Sequence, residues 1–172
     1  MRRKISVALI IIICFLLQST LFQTLSFASI SPNLMIVVTA SFGFMRGRKE
    51  GMFIGFFGGL LFDIFFGSMI GLYALIYMYI GYVNGFFRKM FFPDDIKLPM
   101  LLISGSDLAY NLLVYFFLFL FRRQFSLGYY MLHIMIPELV YTLLVSVVLY
   151  FVILKTNQKL EVIEKRSASK FV

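Results

Sequence analysis

Gly51-Met52-Phe53-Ile54-Gly55-Phe56-Phe57-Gly58-Gly59-Leu60-Leu61-Phe62-Asp63 is apolar throughout except at its last residue. Gly51, Gly55 and Gly59 are spaced by four, which puts them along one slowly drifting face of a helix, with Gly58 beside them. Small residues at that spacing let two helix backbones approach closely in lipid, where packing rather than hydrophobicity drives association. The face reads as a packing seam inside the chain or as a seam for a separate subunit. Asp63 stands about 18 Å up the helix from Gly51 at 1.5 Å per residue. An ionisable group at such a depth is costly and turns toward protein or water.

The composition around this stretch fits lipid as the solvent. Of 172 residues, 61% are hydrophobic and only 14% charged, against roughly 25% charged in ordinary globular domains. Aromatics reach 19%, with 22 Phe and no Trp, and the mean hydropathy is +0.93. A chain this small has too little interior to hide that much apolar surface from water. A soluble enzyme, a disordered chain and a disulfide-rich secreted domain are excluded. Cys14 is the lone cysteine, so no disulfide forms within one chain.

A helix needs about 20 mostly apolar residues to cross the hydrocarbon core. Six runs qualify as candidates: Ile5 to Phe27, Asn33 to Met45, Gly51 to Phe66, Gly71 to Phe87, Leu98 to Phe121 and Tyr129 to Leu154. The expected architecture is an all-α integral membrane protein, with a six-helix transmembrane domain over 1–154 and a basic cytoplasmic tail over 155–172. With the N-terminus in the cytoplasm, every Lys and Arg but Arg122 and Arg123 falls on the cytoplasmic side, as the positive-inside rule requires. The net charge of +8 then implies an anionic membrane surface as partner, not nucleic acid. Two alternatives stay open. The second run is too short for a perpendicular span, so runs two and three could instead dip in and return as a hairpin. Arg2-Arg3-Lys4 with the following apolar stretch and Ser26-Phe27-Ala28-Ser29 could be a cleavable signal peptide.

Asp107 and Glu138 fall near the middles of the fifth and sixth runs, with no Lys or Arg at matching depth. Asn111, Tyr110, Tyr141 and Thr142 are the expected hydrogen-bonding neighbours of these acids. The acids read as polar glue between helices or, more sharply, as a proton or cation path. His133 is the single His, a poor metal site without a Cys partner. No phosphate-binding loop, nucleophile triad or metal-ligand pair is present in the sequence, so neither catalysis nor a cofactor is expected. Pro93-Asp94-Asp95 reads as a turn rather than a contact site. Glycines at 67 and 71 are expected to let the chain reverse between runs three and four. Pro32 suits a first helical turn with Ser31 as its cap.

The ordered series Gln18, Pro32-Asn33-Leu34, Gly51-x-x-x-Gly55-Phe56-x-x-Gly59-Leu60-Leu61-x-Asp63, Gly67, Gly71-Leu72-x-Ala74-Leu75 and Gly81-Tyr82-x-x-Gly85 resembles the rod-shape-determining membrane protein family MreD. The resemblance spans the chain and is most specific over residues 32 to 85. It implies a non-enzymatic scaffold or regulatory subunit of the peptidoglycan-synthesising elongation machinery in the bacterial cytoplasmic membrane, with both termini cytoplasmic. MreC is the implied partner through helix–helix contacts. The wider complex would include MreB, a RodA-type glycan polymerase and a class B penicillin-binding protein. The implied fold is similar to the substrate-binding subunits of energy-coupling-factor transporters. That likeness motivates a second reading, a small-ligand-binding subunit of a vitamin-type transporter. A proton-coupled transporter using Asp107 and Glu138 is a third.

Overall fold

A computed structural model of the chain describes residues 2–21, 31–67, 70–92, 95–122 and 127–168. The possible cleavage site at 26–29, the loop residues Ser68, Met69, Pro93 and Asp94, and Arg123 lie outside the described residues. Everything regular among the described residues is helical. In chain order these are α1 (Arg2–Leu16) running into a π turn (Leu17–Leu21), α2 (Leu34–Arg46), α3 (Arg48–Phe66), α4 (Leu72–Asn84) with a 3-10 extension (Gly85–Met90), α5 (Lys97–Arg122), the single turn α6 (Leu127–Tyr130), a π turn (Met131–Met135) and α7 (Ile136–Ala168). By length and composition, Lys97–Phe117 and Gly128–Ile163 are long and apolar enough to cross a membrane.

The short second run owes its length to its position. All of α2 from Leu34 to Met45 is buried, and it touches α1, α3, α4 with its 3-10 extension, α5 and α7. It is the central helix, around which the others are arranged. Large exposed apolar side chains occur instead on α1, α3, α4, α5 and α7, such as Leu9, Phe57, Tyr79, Leu112 and Val148. These are the outward faces that a lipid environment requires.

Between α2 and α3 lies one residue. Gly47 takes φ 100° and ψ −177°, a backbone region open essentially to glycine alone. The reversal brings Gly51 of α3 back against Gly43 of α2. A Cβ built on Gly51 would sit 2.7 Å from the Gly43 Cα and would also enter the Gly81 carbonyl. The seam continues along α4. A Cβ on Gly55 would fall inside the Tyr77 carbonyl, and one on Gly59 would lie 2.6 Å from the Ala74 Cα. The α3–α4 pair is accordingly the most extensive helix contact among the described residues. Gly58 faces the other way, toward the Met35 sulfur of α2 at 2.9 Å from its would-be Cβ.

Three local expectations need correction. The cap of α2 is Asn33, whose Oδ1 accepts from the Ile36 N–H at 3.3 Å; Ser31 is two residues too early. Gly71 does reverse the chain with φ 103°. Gly67 does not need glycine's freedom at φ −73°; it is small because a Cβ there would lie 2.6 Å from the Asp63 carbonyl oxygen. In the fourth run the α-helix stops at Asn84 and tightens to 3-10 geometry through Met90.

The sixth run stays helical beyond Leu154. Asn157 and Leu160 are buried, and the Arg46 guanidinium, at the C-terminal end of α2, donates to Asn157 Oδ1. A cation there also meets the negative end of the α2 dipole. The signal was in the spacing: Ser146, Tyr150, Ile153, Asn157 and Leu160 keep one helical stripe running straight through the boundary.

Candidate functional site

The polar side chains of the bundle gather where α2 begins. Asn33 Oδ1, besides capping α2, accepts from the Tyr77 hydroxyl of α4 at 2.9 Å. The Asn33 N–H donates to the Thr142 hydroxyl of α7 at 3.0 Å. Gln18 of the α1 π turn accepts from the Met35 N–H at 3.1 Å. The α1 π turn, α4 and α7 are thus tied to one helix end, where the Thr142, Gln18 and Asn33 side chains take up the N–H groups of Asn33, Met35 and Ile36 that a buried helix terminus would otherwise leave unpaired. Tyr77 in turn packs on Tyr110 of α5 with ring centroids 5.2 Å apart.

Asp63 turns into the protein, as an ionisable group at its depth must. It is 1% exposed, and its two carboxylate oxygens accept from the Tyr73 and Ala74 N–H groups, each at 2.9 Å. It caps α4 from the end of α3, ten residues earlier in the chain. Gly71 precedes α4 with no side chain to do so. The negative charge also sits at the positive end of the α4 dipole.

Asp107 lies on α5 and is fully buried, yet neither carboxylate oxygen has a hydrogen-bond partner among the described residues. The Asn111 amide donates at 3.1 Å to the Asp107 main-chain carbonyl, not to its carboxylate. Glu138 of α7 is close enough to interact with both Asp107 and Asn111. Of the expected neighbours, Asn111 therefore serves Glu138, Thr142 serves Asn33, and Tyr110 packs against Tyr77 at a tilt. One rung nearer the other end, the Asn84 amide donates to Ser106 at 2.7 Å. His133 is exposed and stacks on Tyr129 with centroids 4.2 Å apart. No group of three or more His, Cys, Asp or Glu among the described residues is arranged to hold a metal ion.

Asp107→Asn tests whether that carboxylate has a structural role. The amide gives up no bond and cannot ionise, at a site where burying a charge without a donor is costly. Thermal unfolding in detergent should show Tm unchanged or raised. A fall of more than about 4 °C, worth about 1 kcal/mol in a chain of this size, would mean that Asp107 is bonded in the folded protein.

The ordered glycines, Asn33 and Asp63 all fall within the part of the chain that matches a known family. The family described as rod shape-determining protein MreD matches over residues 1–160. The chain belongs to the MreD family. It is therefore a membrane protein with a role in determining rod shape. The match reaches past Leu154 to the residues that α7 packs back on α2. No curated protein and no solved structure gives a match.

Proposed function

We propose that the chain crosses the bacterial cytoplasmic membrane six times, with both termini in the cytoplasm, and serves as a non-catalytic scaffold subunit that holds MreC through helix–helix contacts. The supporting observation is that the family match over residues 1–160 takes in every helix of the bundle, the last of them as far as residue 160. The placing of all basic residues but Arg122 and Arg123 on one side supports the orientation. Through MreC the scaffold would join MreB, a RodA-type polymerase and a class B penicillin-binding protein. The glycine seam is filled by α4, so the partner contact belongs on the outward apolar faces. The basic end of the chain, 155–172, is read as the cytoplasmic continuation of the last span.

The tagged full chain, purified in mild detergent from its own membranes, should bring MreC and wall-synthesis enzymes with it. Absence of MreC from that preparation would sink the scaffold reading. Recovery of nucleotide-binding transporter subunits would instead establish the second reading, a small-ligand-binding transporter subunit. The observation on its side is the buried, unpartnered Asp107 beside Glu138.

A further inference from the structure

Between α1 and α3 the surface opens into a groove of about 780 Å³. Its charged groups, Arg3, Lys49 and Glu50, are all at one end, and the rest of its lining is apolar. Arg3 pairs with Glu50, so the mouth carries one net positive charge with Lys49. The groove runs to Ile12 on α1 and Leu61 on α3. That is about 14 Å along α1 and about 18 Å along α3 at 1.5 Å per residue. Beyond those residues the two helices close on each other: Phe15 packs against Phe62 and Phe65 with centroids 5.3 Å apart in both pairs. The groove is therefore blind, apolar and cationic at its open end, with a length near one leaflet's share of a hydrocarbon core about 30 Å thick. A partner's spanning helix would need a groove twice as long and open at both ends.

We propose that this groove seats one anionic glycerophospholipid, its phosphate at Lys49 and Arg3 and an acyl chain lying along α1 and α3 as far as Ile12 and Leu61. Ala8, whose small side chain lines the groove, leaves room for the chain. Assignment of the lipid to the cytoplasmic leaflet rests on the orientation proposed above; the seat itself does not.

The full chain is placed in nanodiscs of phosphatidylcholine with or without phosphatidylglycerol, then released into native mass spectrometry, with Tm measured in parallel. The wild type should retain one phosphatidylglycerol in preference to phosphatidylcholine and gain Tm from it. Lys49→Ala should lower that retention about fivefold, the share of one basic residue at an anionic surface. Ala8→Phe fills the groove without touching its charges. It should abolish retention while its Tm in pure phosphatidylcholine stays at the wild-type value. No preference for phosphatidylglycerol in the wild type would overturn the proposal, and so would undiminished retention by Ala8→Phe, which would place the lipid elsewhere. The assay contains no MreC, so failure of the seat is separate from failure of the scaffold reading.

Discussion

Gly55→Leu should leave almost no folded protein. A Cβ at this position already collides with the Tyr77 carbonyl, which is helix backbone and cannot swing aside. Overpacking a core against side chains costs about 1–3 kcal/mol; here α3 and α4 must separate along their whole length, and the cost exceeds the upper end of that range. Size-exclusion profiles and thermal unfolding in detergent give the measurement. Two other glycines serve as controls. Gly58→Ala meets only the flexible end of Met35 and should be tolerated. Gly105 has nothing within 4 Å of its would-be Cβ, so Gly105→Ala should stabilise α5 by about 0.5–1 kcal/mol through helix propensity. A well-folded Gly55→Leu protein would show that α3 does not run against α4 as described.

Asp63→Ala is the second large effect. It removes a buried anion that accepts two main-chain hydrogen bonds, and it leaves both donors without a partner. Bonds to a charged group are worth about 1.5–3 kcal/mol each, so a loss of about 3–6 kcal/mol is expected for the two. Asp63→Asn keeps one acceptor and the shape, and should fall midway. If Asp63→Ala and Asp63→Asn unfolded at the same temperature as the wild type, the cap would not hold α4. Both variants should spare the α1–α3 groove, whose lining does not include Asp63.

The helices themselves were legible in the sequence. The fifth run was expected from Leu98 to Phe121 and forms Lys97–Arg122. The spacing of Gly51, Gly55 and Gly59 marked a face for close helix approach, but not whether a helix of this chain or a separate subunit would meet it. What could not be read was which neighbour each element meets. A helix surrounded by protein and one surrounded by lipid have the same apolar composition, so nothing in the second run showed that α2 is the central helix. Asp63 was visible as a buried acid. Its donors lie ten residues on and across a turn, and nothing local to it names them. The clue was indirect: Gly71 starts α4 and has no side chain to cap it. The helical stripe through Asn157 and Leu160 was readable, but the surrounding lysines dominated the reading of that segment as a tail.

The full enclosure of α2 divides the molecule into two regimes of tolerance to substitution. On the outward faces of α5 and α7, an apolar residue of almost any size should serve, and a charge should not. Within α2 the rule inverts. Every residue from Leu34 to Met45 is enclosed there, so volume is what is limited: a Cβ on Gly43 would already lie 2.7 Å from the Gly81 carbonyl oxygen. Variation among functional versions of this chain should therefore follow hydropathy on its outside and side-chain size along its axis.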